Sequence, residues 1–290
     1  ISLMSKLNSE WIGVDPWLTL DTAITYHTHK DEIPDLWTEA HALSAGWKFK
    51  IPLQERQGNG YIFDSNYLTE DAAMEEINNV ELAGKKNIKT IKFTAGYLKE
   101  TWKGNCFAIG LTGSFFEPLE ATSIATSVQQ SFMLATNFIG YDQIVIDRYN
   151  EQFTKLVKNI RDFLILHYRT KRTDTQFWKD KAAMDIPDSL AAKLEIAKRR
   201  LLTKDDFDDG HYALWRDHHY AIVMYGLGML DPEMIKMQYE SLPESVKKQL
   251  FFEKNYEVES AFAVQYIHHD KFLKQVREGT RVVDEEKIRN

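Results

Sequence analysis

Glu120 sits among the residues of this chain that are best suited to chemistry. It lies in the stretch Asn105–Gln130, NCFAIGLTGSFFEPLEATSIATSVQQ. Cys106-Phe107-Ala108-Ile109 is a short apolar run that reads as a buried strand. Gly110 and Gly113 bracket a sharp turn, Pro118 opens a new segment, and the residues from Glu120 onward suit a helix. Strand, Gly-containing turn and helix start together make a seat for an anion or a cofactor phosphate. The first N–H groups of a helix have no partner inside it, and its dipole favours negative charge. Ala121, Thr122 and Ser123 are small enough for a ligand to approach the backbone. An acid at a helix start is also ordinary, worth roughly a few tenths of a kcal/mol through the dipole, so the residue types alone leave both readings open.

The elements that must position this stretch are legible on either side of it. Trp47, Phe49 and Ile51 alternate with Lys48 and Lys50, the period of a half-buried strand, and Tyr61-Ile62-Phe63 completes a hairpin. Thr69 caps a short helix that carries Glu70 and Asp71 in its first turn. Ile88–Phe93 reads as a strand, and 96–104 as a connection. From Val145 to Tyr168 the apolar residues Ile146, Tyr149, Phe153, Leu156, Ile160 and Phe163, with His167, fall at helical spacing, and Arg161 and Asp162 lie on the other face. Pro187-Asp188 opens a helix through Leu190, Leu194 and Leu201. Asp205-Asp206 and Asp208-Asp209-Gly210 form an acidic loop, and 211–229 is a helix ended by Asp231-Pro232. Amphipathic helices follow at about 233–250 and 255–277. Trp11–Trp37, with Asp15-Pro16 and Ile33-Pro34, reads as turns and short elements.

With 290 residues, 43% hydrophobic and 27% charged, the chain has the composition of an ordinary globular protein with a sizeable core. A net charge of −7 argues against nucleic acid as partner. No apolar stretch reaches membrane-spanning length, and the N-terminus lacks a signal-peptide layout. The single cysteine, Cys106, excludes an internal disulfide, reads as an inert core residue and fits a reducing, cytoplasmic compartment. The pairs His218-His219 and His268-His269 are adjacent and should point apart, and His27-x-His29 has no ligand cluster beside it, so no metal is expected.

Three ordered blocks carry a resemblance. Ser114-Phe115-Phe116-Glu117-Pro118-Leu119-Glu120-Ala121-Thr122-Ser123-Ile124 resembles the GFxEPLESTxI motif of the flavin-dependent halogenases of the tryptophan-halogenase type. Trp47-Lys48-Phe49-Lys50-Ile51-Pro52 is similar to the W-x-W-x-I-P signature of that family with one Trp replaced by Phe, and Arg56-Gln57-Gly58-Asn59-Gly60-Tyr61 to its R-x-G-N-G-Y. The resemblance is firm over about 46–135, weaker over 163–190 and 211–232, and not seen beyond. The chain shows no G-x-G-x-x-G, and Gly58-Asn59-Gly60 runs into strand-like Tyr61-Ile62-Phe63. It is therefore expected to be the C-terminal part of a halogenase, its activity needing an N-terminal half with the catalytic lysine.

The resemblance implies an α+β or α/β fold. Residues 1–140 would be the C-terminal portion of an FAD-binding, flavin-monooxygenase-like domain with a sheet, and 141–290 a helical substrate-binding domain. It implies Glu120 as the catalytic acid, orienting the halogenating species and stabilising positive charge on the ring under attack, with Glu117 structural. It places the halide on the backbone of Thr122 and Ser123, and the flavin against Gly110, Leu111 and Ile124. It places the aromatic substrate near Trp215, His219, Trp47 and Phe49. The cofactors implied are reduced FAD, supplied by a separate flavin reductase, and a halide ion. The substrate implied is an indole, phenol or pyrrole. Free tryptophan is disfavoured, because Leu201–Gly210 holds no Tyr where tryptophan-specific enzymes grip the amino-acid backbone. Relatives are often dimers, so a homodimer is an assembly the resemblance allows. A monooxygenase of the same superfamily, towards which Phe49 leans, and a truncated non-catalytic module are the competing readings.

Overall fold

The alternating stretch from Trp47 folds, in the computed structural model, as one strand of a hairpin. The structure describes residues 3–29, 37–80, 85–138, 140, 142–207, 212–250, 274 and 278. In chain order the elements are α1 (Leu3–Lys6), β1 (Trp11–Gly13), β2 (Thr22–His29), β3 (Glu39–Leu43), β4 (Gly46–Pro52), β5 (Arg56–Phe63), α2 (Glu70–Val80) and β6 (Lys86–Lys92). The short strands β7 (Gly96–Leu98), β8 (Trp102–Lys103), β9 (Cys106–Phe107) and β10 (Ser114–Phe115) follow. Beyond them lie the helices α3 (Thr122–Asn137), α4 (Gln143–His167), α5 (Gln176–Ala183), α6 (Asp188–Ala197), α7 (Asp217–Gly226), α8 (Pro232–Glu240) and α9 (Glu244–Leu250). The chain divides into two compact units, Ile1–Met234 and Ile235–Asn290.

Sheets precede residue 116 and helices follow it, as the pattern predicts. The main sheet has the order β3-β4-β5-β2-β6. All its pairings are antiparallel, so the α/β form of the expectation does not hold. Thr69 caps α2, its Oγ1 accepting from the Ala72 N–H at 3.3 Å. Against one face of the sheet α2 lays Ala73 and Ile77, which pack on Ile24, Tyr26, Tyr61 and Phe63.

The two sequence blocks Trp47–Pro52 and Arg56–Tyr61 are cross-strand neighbours, with Phe49 opposite Gly60 and Ile51 opposite Gly58. A Cβ at Gly60 would lie 2.5 Å from the Phe49 ring, so the ring covers the glycine backbone directly. At the strand start Gly46 pairs with Phe63. A Cβ there would collide with the Ile62 carbonyl oxygen and approach Phe63 Cα to 2.8 Å. Gly46→Ala is expected to cost about 3 kcal/mol by forcing backbone apart, a fall in melting temperature of roughly 6–12 °C, read by thermal unfolding. An unchanged melting temperature would mean the strand shifts freely.

Four local expectations change. Lys48 is buried along with Trp47, so β4 is covered on both faces over these residues instead of being half-buried. Asp162 is buried too, where it accepts from Arg161 and from Ser189 Oγ, so the helix α4 is enclosed more fully than its apolar stripe implies. Cys106 is only half-buried, and β9 is a two-residue strand rather than a buried run. The predicted 211–229 helix is shortened to α7, because Arg216 caps it through His219 Nδ1. In the acidic loop Asp206 is gripped by Arg200 and Thr203, while 208–210 lie outside the described residues, as do Ile33-Pro34, His268-His269 and nearly all of 255–277. No helix among the described residues is long and apolar enough to cross a membrane.

Candidate active site

Glu120 does not lie in the first turn of a regular helix. Leu119–Ala121 is a 3-10 turn leading into α3, and Glu120 (φ 60, ψ 20) and Ala121 (φ 50, ψ 29) both take left-handed backbone. Two consecutive residues with a Cβ in that region cost on the order of 1–3 kcal/mol each. Such strain persists only where the surroundings impose it. Thr122 is one of those surroundings: it is buried, its N–H bonds to the Leu119 carbonyl, and its Oγ1 donates to the Glu117 carbonyl at 3.2 Å. Ser123 is half-buried beside it in the first turn of α3.

From α4 comes the partner that sequence spacing does not reveal. His167 Nε2 lies 3.2 Å from Glu120 Oε1, and His167 Nδ1 lies 2.8 Å from the Phe163 carbonyl oxygen. The bond from His167 holds the Glu120 carboxyl below the usual carboxylate range, against the opposing effect of partial burial, and His219 adds to the lowering. Glu120 is therefore a carboxylate at neutral pH.

Glu117, the other acid of the block, has a different environment. It is 1% exposed and accepts from Tyr168 Oη on both carboxylate oxygens, at 2.8 and 2.9 Å. Burial pushes its carboxyl up to about 7, opposed by Tyr168, His167, Lys181 and Trp47. The buried Lys181 donates to the Trp17 carbonyl at 3.1 Å. Burial lowers its pKa. Two acids three positions apart thus face one histidine, one buried and one at the surface of the turn.

Trp215 stacks on Phe163 with ring centroids 4.5 Å apart and an interplanar angle of 20°, and meets His219 edge-on at 5.1 Å. Its backbone is clamped by Asn159 of α4, which donates to the Trp215 carbonyl at 2.8 Å and accepts from its N–H at 2.9 Å. His218 and His219 do not point apart: their rings lie 3.8 Å apart, because His219 folds back to cap α7. Trp47 is buried 6.1 Å from the Phe49 ring and contributes to the environment of Glu117 rather than that of Glu120.

Gly110 has φ +67, and its N–H donates to Gln130 Oε1 at 3.0 Å. Leu111 (62% exposed) and Ile124 (71% exposed) are open to solvent, as are Val128 and Phe132 farther along α3. Exposed apolar side chains beside a tight Gly turn fit the edge of a flat ring system such as a flavin. Among the described residues no group of three His, Cys, Asp or Glu could hold a metal ion. A cavity of about 430 Å³ lined by Arg169, Lys171, Leu194, Met224 and Met229 includes none of the site residues expected from sequence. Sequence reasoning missed His167, Asn159 and Phe163. The one available signal was a histidine on the otherwise apolar stripe of α4.

Residues 2–244 match the family described as Tryptophan halogenase. The chain is 30% identical over 267 residues to the Tryptophan 7-halogenase KtzQ of Kutzneria sp. (strain 744), covering 85% of this chain and 50% of that relative. Among solved structures it is similar to Xcc4156, a flavin-dependent halogenase from Xanthomonas campestris, at 31% identity and a TM-score of 0.81, over 94% of this chain and 55% of the other. It is also similar to BrvH, a flavin-dependent halogenase from Brevundimonas sp. BAL3, at 28% identity and a TM-score of 0.79, over 93% and 55%. The chain spans about half the length of the curated relatives it matches.

These matches correct three expectations. The likeness, expected to be firm over 46–135, weaker over 163–190 and 211–232 and absent beyond, runs over 2–244, so the family match is not merely to a C-terminal part. The fold is not just the last piece of a flavin domain: sheet-rich and helical regions both lie within the matched residues. The expectation that activity needs an N-terminal half rested on the likeness being partial, and the match over 2–244 removes that ground.

Proposed function

The chain belongs to the tryptophan halogenase family, and from that premise we propose that it acts in FAD-dependent halogenation of an electron-rich aromatic ring, with Glu120 at the reacting centre. The observation that carries this reading is the ionised Glu120 carboxylate, held by His167 on a strained turn at the start of α3. When bound, reduced FAD with oxygen supplies the oxidant that converts halide to hypohalous acid. Gly110, Leu111 and Ile124 are the residues offered to the flavin ring, and Ser123 is offered to the halide through the start of α3, the expected Thr122 N–H being taken up by the Leu119 carbonyl. Glu120 orients the halogenating species, and its charge favours the positive ring that forms as the carbon–halogen bond is made. A separate flavin reductase supplies reduced FAD.

Trp215, supported by Phe163, gives a flat apolar face for the substrate ring, and His219 closes its edge. Trp47 and Phe49, the other two residues offered to the substrate, lie next to each other on β4, and Trp47 stands beside Glu117. We carry residues 141–290 as the substrate-binding division on this basis. The names of relatives point to tryptophan, whereas the absence of Tyr from Leu201–Gly210 points away from a grip on its amino-acid end. Free tryptophan and simple indoles are therefore separate arms of the test.

The chain, supplied with FAD, a flavin reductase, nicotinamide cofactor and chloride, bromide or iodide in turn, is expected to add halogen to members of an indole, phenol and pyrrole panel read by mass spectrometry. Oxygen added without halide dependence, or no product with any substrate, would overturn the reading. Trp215→Ala is expected to raise KM for the aromatic substrate about tenfold, the order of one lost ring stack, with a smaller change in kcat. A kcat loss at unchanged KM would remove Trp215 from the substrate face.

A further inference from the structure

The cavity of about 430 Å³ shares no lining residue with the Glu120 site, and it is built from α5, α6, α7 and the segment after α4. Its volume lies in the range of small-ligand sites. The walls are mostly apolar. Ile186, Ala191 and Leu194 come from α6 and the turn before it, and Met224, Leu227 and Met229 from α7 and the residues that follow. None of these six side chains is exposed.

Among the residues that line it, the cations Arg169, Lys171 and Lys198 stand against a single acid, Glu195. Lys198 pairs with Glu195. Arg169 and Lys171 bond only to backbone among the described residues. Arg169 Nη1 donates to the Met184 carbonyl at 2.9 Å and the Lys181 carbonyl at 3.5 Å, and Lys171 Nζ donates to the Gly228 carbonyl at 3.1 Å. A carbonyl orients a cation without cancelling its charge. These bonds tie the two cations to the end of α5 and the residues after α7, so they are positioned before a ligand arrives. The other edge of the Arg169 guanidinium, Nε and Nη2, makes no hydrogen bond among the described residues. That edge is a fork that a carboxylate bridges with two parallel bonds. Lys171 is exposed and Arg169 half-buried, so positive charge runs inward from the rim.

We propose that this cavity is a second binding site, for a small carboxylate with an apolar body. The carboxylate bridges Nε and Nη2 of Arg169 with Lys171 beside it, and the hydrocarbon part lies against Leu194, Met224 and Met229. A bare anion such as acetate leaves those walls uncovered. An alcohol of the same chain length covers them but leaves both cations unmatched. The site does not depend on the halogenase reading.

Octanoate is the probe, with octanol and acetate standing for its two halves. In calorimetric titration of the whole chain at neutral pH, octanoate is expected to bind at least about tenfold more tightly than either, the order of one hydrogen bond to a charged group. NMR of the chain labelled at its methionine methyls should show octanoate moving the Met224 and Met229 signals. Met4 and Met133, which pack elsewhere, should stay in place. Lys171→Gln, at an exposed position, should weaken octanoate about tenfold and leave octanol unchanged. Arg169→Lys keeps the charge without the fork and should weaken octanoate in the same way. Leu194→Trp fills the cavity and should abolish binding of both. Octanol bound as tightly as octanoate, Met224 and Met229 signals that do not move, or parental octanoate affinity in Lys171→Gln would overturn the proposal. A chain that binds octanoate at these methyls but halogenates no substrate would keep this site and lose only the halogenase reading.

Discussion

Glu120→Gln is expected to lower halide-dependent turnover roughly 10²- to 10³-fold, about 3–4 kcal/mol of barrier, with little change in KM for the aromatic substrate. The substitution keeps the size of the side chain and an oxygen that can accept from His167 Nε2 at the position seen here, 3.2 Å away. What it removes is the negative charge. That charge matters little while the ring is neutral and much when the ring becomes cationic, so the loss belongs to kcat. Reduced flavin should continue to be consumed by oxygen, because the variant leaves Gly110, Leu111 and Ile124 untouched. Single-turnover assays with product read by mass spectrometry would separate the two effects. A variant with more than a tenth of parental kcat would show that Glu120 does not face the reaction.

Glu117→Gln is expected to stabilise the protein at pH 8 by on the order of 3 kcal/mol and to flatten its pH dependence below that. Burial raises the Glu117 carboxyl from an ordinary 4.5 to about 7 in the folded chain. A group whose folded value is raised contributes stability that is fully present below its unfolded value and lost as pH rises through its folded value. The native chain should therefore lose this contribution between about pH 4.5 and 7, at about 1.4 kcal/mol for each pH unit crossed. Gln cannot ionise, and its amide oxygen can still accept from Tyr168 Oη, which now bonds both carboxylate oxygens. Urea unfolding of both proteins at pH 5 and pH 8 measures the difference. A variant less stable than the parent at pH 8 would mean that Tyr168, His167 and Lys181 more than offset the burial of the charge.

The two acids of one short block thus have opposite fates, and local sequence does not separate them. Glu117 and Glu120 are equally acidic in sequence and flank the same Pro-Leu pair. Their difference arises from Tyr168 and His167, 51 and 47 positions away, which the C-terminal end of α4 brings against the turn. The same holds for Trp215, whose stacking partner Phe163 and backbone clamp Asn159 belong to α4. Helical spacing placed Phe163 and His167 on one stripe, but a stripe does not say which element it meets.

The sequence by itself determined the periodic elements and the family-bearing blocks, because both are written in neighbouring residues. The hairpin of β4 and β5, the Thr69 cap, the length of α4 and the passage from sheet to helix followed from alternation, capping and 3.6-residue spacing. The motifs located the family, though only over part of the 2–244 span that matches. Tertiary structure alone decided the burial of Lys48 and Asp162, the left-handed backbone at Glu120 and Ala121, and the bonding of His167 to Glu120. Each depends on which faces of distant elements meet. Burial and charge state are set by that meeting, not by the residue or its near neighbours.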